Sequence, residues 1–223
     1  ISKGLVGSEM CIRDRLISLL GKIELKKLFE AKNLSDNDFN EIENSLSLLS
    51  RSKFFIDDTS SLSPSEILSR SRKLKRENPD LGLIIIDYMQ LMNADNKNDN
   101  RVSEMSEISR SLKALAKEID VPVIALSQLN RAPETRTGKR PVLADLKDSG
   151  AIEQDADIVT FVFRAEKYEQ DLDNKGLAII DVAKHRNGPT GSVKLHFSDK
   201  YTKFQDLAPD DPALRNPDFS EED

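Results

Sequence analysis

The chain has 223 residues, 38% of them hydrophobic and 32% charged, with a formal net charge of -6. That composition describes a water-soluble globular chain of one sizeable or two small domains, and the acidic balance argues against a surface coated with basic residues for nucleic acid, though a local basic groove stays open. No apolar run approaches the length needed to span a bilayer, the N-terminus lacks the pattern of a signal peptide, and one cysteine with two histidines leaves no disulfide framework and no convincing zinc site. The cytoplasm is the expected compartment.

Residues 1–15, ISKGLVGSEMCIRDR, carry neither a helical nor a strand period. The string GLVGSEMCIRD resembles a translated sequencing-adapter artefact, so the domain is expected to start near Arg15 or Leu16, truncated upstream; an ordinary chain end is the alternative. Leu16 to Ala31 then show apolar residues at helical spacing. SDNDFNEIENSLSLLS opens a helix with Ser35 and Asp38 placed for capping and Phe39, Ile42, Leu46 and Leu49 on one face. KFFIDD reads as a short strand. SPSEILSRSRKLKREN has Ser63 as N-cap, Pro64 at the first helical position and Glu66 as capping partner, and it stops at Asn78-Pro79.

GLIIID is a continuous apolar strand that runs into Asp87. After the polar loop NADNKNDN comes an amphipathic helix with Met105, Ile108, Leu112 and Leu115 on its inner face. VPVIALSQ is a second apolar strand, NRAPETRTGKRPVLADLKDSG a long basic loop region, DIVTFVFR and GLAIIDVAKHR two further strands, and GSVKLHFSDKYTKFQDL a hairpin. The methionines at 89, 92 and 105 are expected as core filler. The tail from residue 208 is acidic and Pro-rich and is expected to be disordered. Strands alternating with helices predict an α/β fold with a mostly parallel twisted sheet, flanked by helices and buried on both faces.

In such sheets ligands bind beyond the carboxyl ends of the strands. Asp87, then Ser127 and Gln128, then Arg164, then Lys184, His185 and Arg186 stand just past apolar runs. Polar residues also stop strands for no functional reason, but the set as a whole suits a phosphate-and-metal site. A carboxylate at Asp87 can hold magnesium, Gln128 can hydrogen-bond a γ-phosphate or its attacking water, and Lys184 and Arg186 point the same way on an extended chain, a cation pair suited to phosphate. The basic loop 131–147 has no interleaved aromatics, so any nucleic-acid contact there would be to the backbone.

LGLIIIDYMQLM, EISRSLKALAKEIDVPVIALSQLNRAPE, KRPVLADLKDSGAIEQDADIV and AKHRNGPTGSVKLHF, in this order and over roughly Leu16 to Leu207, resemble the C-terminal motor domain of the DnaB family of bacterial replicative DNA helicases. The resemblance implies a RecA-like core with a C-terminal β-hairpin, incomplete at its N-terminus: 16–207 is then the motor portion, 1–15 foreign to it and 208–223 a tail. It implies ATP and Mg2+ as cofactors, single-stranded DNA as track, a homo-hexameric ring that separates the duplex at the replication fork, and primase and a helicase loader as partners. Asp87 matches the magnesium-associated Walker B carboxylate and Gln128 the γ-phosphate sensor. Lys147, Asp148, Ser149 and Gly150 match the channel loop that grips the DNA backbone. Arg186 matches the arginine finger that reaches the neighbouring subunit's ATP, with Lys184 as its companion cation. Arg101 belongs to a second channel loop, 95–101, that matches only loosely.

The family commonly has glutamine where His185 stands and an arginine-glutamate pair where Lys147 and Asp148 stand, and lysine lacks arginine's bidentate fork. Nor does the chain contain the P-loop pattern G-x-x-x-x-G-K-[ST]: Gly21-Lys22 and Gly138-Lys139 are followed by Ile23 and Arg140. In the family the P-loop and the catalytic glutamate lie upstream of the position of Leu16; Glu9-Met10 is too close to Leu16 to be assigned that glutamate. A fragment without that strand and helix would expose apolar sheet. A non-catalytic assembly or DNA-binding module, or a RadA-like recombination ATPase, are the alternatives.

Overall fold

The computed structural model describes residues 6–31, 33–95, 100–130, 140–164, 166 and 176–208. The side chains of 6–11 and 147–149 lie outside the description, as do most of the basic loop, with Arg131, Arg136 and Lys139, and nearly all of the acidic tail. The elements divide between two compact units.

One unit takes residues 1–58, 164–180 and 192–223. It holds α1 (Val6–Gly21), α2 (Leu25–Glu30) and α3 (Asp36–Arg51), which correspond to the helical segments expected there except in two respects. The helix beginning near Leu16 is two helices, broken where Lys22 takes a positive φ, and α1 extends back to Val6. The α3 capping box is formed as its sequence requires: Ser35 Oγ accepts from the Asp38 amide at 3.2 Å and Asp38 accepts from the Ser35 amide at 2.9 Å.

The covered side of α3 is only partly the one its large apolar residues suggest. Ser45 is buried with Ile42 and Leu49 partly buried on its side, whereas Phe39 and Leu46 are exposed. The reason is close helix approach. A Cβ on Gly21 would lie 3.1 Å from Ser45 Oγ and 3.3 Å from the Glu41 carbonyl, so small residues are required where α1 ends against α3. KFFIDD forms no strand: residues 53–58 are irregular and Phe54 and Phe55 are exposed. A strand needs a neighbour for its amide and carbonyl groups, and none pairs with this stretch among the described residues.

In the same unit β5 (Gly191–Ser198) and β6 (Lys203–Asp206) are the expected antiparallel hairpin, with Phe197 opposite Phe204; β4 (Leu177–His185), on the other side of β5, gives residues 177–180 to this unit and 181–185 to the other. Leu177, Ala178 and Ile179 are fully buried. Gly176, at φ 76°, is required just before them, since a Cβ there would stand 2.5 Å from the His196 ring. Arg164 has its partners here: it pairs with Glu166 and with Asp199 at 2.7 Å and lies 3.9 Å over the Phe197 ring. It is a structural strand-end residue.

The other unit takes residues 59–163 and 181–191. α4 (Pro64–Glu77) starts with the Ser63–Glu66 capping box and Pro64 at its first position, as expected. β1 (Ile84–Ile86) and β2 (Val123–Ala125) are parallel, with Ile85 opposite Ile124. Between them runs α5 (Arg101–Ile119), capped by Asn100, whose side chain accepts from the Val102 amide at 2.9 Å. All four residues of its expected inner face are buried; Ile108 and Leu112 pack with Met89, Met92 and Met105. A short 3-10 stretch, Leu143–Ser149, leads into α6 (Gly150–Asp155), followed by β3 (Ile158–Arg164), which lies beside β4.

Burial on both sheet faces does not hold. Ile85 is 58% and Ile124 51% exposed, and on β3 Ile158 and Val162 are exposed while Val159, Phe161 and Phe163 are buried. β1, β2 and β3 therefore alternate between a covered or partly covered face and an apolar face open to water.

Candidate functional site

Two clusters of polar groups gather in the second unit. The first lies at the carboxyl ends of β1 and β2. The ladder between them ends with the Leu126 amide donating to the Ile86 carbonyl and the Met89 amide donating to the Leu126 carbonyl, both at 2.9 Å. Asp87, the residue after Ile86, and Gln128, two residues after Leu126, are both exposed. The peptide bond between Asp87 and Tyr88 is cis.

Sequence reasoning passed over Gln90. It sits in the 3-10 turn Met89–Leu91, and its carboxamide donates to Ser127 Oγ at 3.0 Å and to the Gln128 carbonyl at 3.2 Å, and accepts from the Gln128 amide at 3.1 Å. Arg101, the first residue of α5, donates to the Gln90 carbonyl at 2.7 Å and to Glu104 at 2.5 Å. Gln90, Arg101, Gln128, Asn130 and Asp145 help line a cavity of about 310 Å³ beside the strand ends. Asp145 is buried and accepts from the Val142 amide at 2.8 Å, which fixes the start of the 3-10 stretch.

The second cluster is built on the end of α6. Lys184 donates to the Glu153 carbonyl and, at 3.5 Å, to the Gln154 carbonyl; Arg186 donates to the Gln154 carbonyl at 3.0 Å. Carbonyls at a helix C-terminus carry partial negative charge and suit cations. Arg186 also faces Asp157 at 3.5 Å, and its amide donates to the Asp157 carbonyl at 2.8 Å. Asp157 in turn pairs with Lys113 of α5. The hydrogen bond from Lys113 holds the Asp157 carboxyl below the ordinary carboxylate range, against the opposing effect of desolvation, and the charges of Lys113, Arg186 and Lys117 act in the same direction as that bond.

The predicted residues thus divide. Asp87 and Gln128 follow the carboxyl ends of the paired strands β1 and β2, and Arg101 is tied to Gln128 through Gln90. Lys184 and Arg186 stand together on α6 and Asp157. Arg186 is half exposed, with no place in the core. Lys147, Asp148 and Ser149 close the 3-10 stretch, their side chains outside the description. Gly150 opens α6 in open space, with no atom within 4 Å of where a Cβ would be. The candidate backbone-gripping loop therefore runs directly into the helix whose far end holds the two cations.

Residues 5–206 match a family described as DnaB-like helicase C terminal domain, a span that begins inside the segment 1–15. The chain is 47% identical over 198 residues to the replicative DNA helicase DnaB of Haemophilus influenzae and, at the same identity, to that of Pasteurella multocida, spanning 42% of the length of each. Among solved structures, an ATPase domain superposes with a TM-score of 0.86 at 39% identity, covering 90% of this chain and 71% of that one. The structure of a DnaB-like replicative helicase and its interactions with primase gives a TM-score of 0.84 at 40% identity, covering 88% of this chain and 47% of that one. These likenesses bear out the RecA-like α/β expectation.

Proposed function

The chain belongs to the family of DnaB-like helicase C-terminal domains, and we propose that it acts as the motor portion of an ATP-driven replicative helicase, spanning residues 16–207, that moves along single-stranded DNA as a homo-hexameric ring in the cytoplasm. Asp87 holds Mg2+ on the bound ATP, and Gln128 hydrogen-bonds the γ-phosphate or the water that attacks it. Arg186 and Lys184 serve the nucleotide of the neighbouring protomer, where a guanidinium stabilises charge that develops in the transition state. Lys147, Asp148, Ser149 and Gly150 contact the DNA backbone, with Arg101 as a second contact. Primase and a helicase loader are the expected partners.

The observation that carries this reading is the division of the site. The acidic strand end and the two cations occupy separate clusters of one unit; Arg186 is half exposed and Lys184 is partly buried against the end of α6. That arrangement suits groups that meet across a subunit boundary. A non-catalytic assembly module is the second reading, since the P-loop pattern is absent from the 223 residues.

The test uses the chain extended to the length of its curated relatives. Arg186→Ala there should lower ATP hydrolysis about a thousand-fold or more while leaving nucleotide binding intact. Wild-type turnover in that variant would defeat the assignment, and an extended wild-type chain that assembles but hydrolyses nothing would favour the second reading.

A further inference from the structure

We propose that Gln90 is a positioning residue: it sets the Gln128 end of β2 and ties it to Arg101. This rests on the reading of Gln128 as the group facing the γ-phosphate. The β1–β2 ladder stops at Leu126, and the next rung is made by a side chain. Gln90 Oε1 accepts from the Gln128 amide and Nε2 donates to the Gln128 carbonyl, so both polar groups of one backbone residue are paired by a single carboxamide. Glutamine is suited to this because its planar amide offers a donor and an acceptor together; glutamate keeps only the acceptor, and leucine keeps neither.

The bracket has a firm base. Met89, the preceding residue, is 2% exposed in the core, and its amide bonds the Leu126 carbonyl. Its other end is adjustable. The Gln90 carbonyl is held by one guanidinium nitrogen of Arg101, whose second bond goes to Glu104 at the exposed start of α5. A phosphate that recruits Arg101 withdraws a bond from the turn bearing the bracket. Polyanion binding at the start of α5 is thereby transmitted to the backbone that presents Gln128.

Hydrogen exchange at the Gln128 amide tests the bracket in this chain. Gln90→Leu should speed that exchange on the order of five-fold, the loss of one hydrogen bond. Gln90→Asn, too short by a methylene, should act likewise if the leucine variant does not fold, and Gln90→Glu should stay near wild type because it keeps the acceptor. Arg101→Ala should speed the same amide about two-fold through the weakened turn. Unchanged exchange in the leucine and asparagine variants overturns the bracket, and unchanged exchange in Arg101→Ala overturns the tie.

In the extended chain, Gln90→Leu should lose stimulation of ATP hydrolysis by single-stranded DNA while nucleotide affinity is kept, and Gln90→Glu, which keeps the acceptor, should retain the stimulation. Parallel loss of affinity and stimulation would mark a merely structural residue and overturn the proposal. Gln128→Ala hydrolysing at the wild-type rate would instead sink the phosphate reading of Gln128, leaving the exchange result to decide the bracket by itself.

Discussion

Removing the Asp157 carboxylate is the sharpest perturbation of the cation cluster. Asp157 pairs with Lys113 and, at 3.5 Å, with Arg186, and its side chain is 53% exposed. Exposed ion pairs contribute about 0.2–1 kcal/mol each, so Asp157→Ala should cost about 1 kcal/mol. In a chain of 223 residues that lowers the melting temperature by about 2–4 °C. The backbone bond from the Arg186 amide to the Asp157 carbonyl survives the change, so the strand end keeps its course. The loss should shrink in 1 M salt, where the screening length falls to about 3 Å. Because the folded carboxyl titrates below its unfolded value, its contribution is present above the ordinary carboxylate range and fades as pH falls through the depressed value; below that the variant and wild type should melt alike. Thermal melts at two salt concentrations and across acid pH measure all of this. A loss above about 3 kcal/mol that survives 1 M salt would refute the reasoning and make Asp157 part of a buried charge network.

Two further changes probe the scaffold. Ile108→Ala should cost about 2–5 kcal/mol in urea unfolding, since Ile108 is fully buried among Met89, Met92, Met105 and Leu112 and its removal leaves a cavity under the β1 strand end. Ile85→Lys with Ile124→Glu places opposite charges side by side on the open sheet face and should raise the monomeric fraction in light scattering; global unfolding instead would mean that these side chains are covered.

Much of this fold can be read locally. The two capping boxes and the inner face of α5 depend on spacings of three and four residues, and they form where the sequence places them. The strand ends at Asp87 and Gln128 follow from apolar runs meeting polar residues. Non-local partners were not legible. Nothing within LSQLN or DYMQL announces that Gln90 reaches a peptide 38 residues away, although a glutamine three residues past a buried strand's terminal aspartate was the available signal. The resting partners of Lys184 and Arg186 come from α6, about 30 residues upstream. On α3, Ile42 and Leu49 of the expected face are partly covered, but Phe39 and Leu46 are exposed because the close approach of Gly21 favours a small residue, Ser45, at the centre of the contact. KFFIDD has strand-like composition, yet no described strand pairs with it.

A mixing experiment probes the shared triphosphate most directly. Asp87→Ala and Arg186→Ala are prepared separately in the extended chain, each inactive alone, then dissociated and reassembled together. If the carboxylate and the guanidinium serve one nucleotide from adjacent protomers, random mixing restores about a quarter of the interfaces, and hydrolysis returns in that proportion. If mixed rings form and remain as inactive as either parent, the two residues do not act across a boundary.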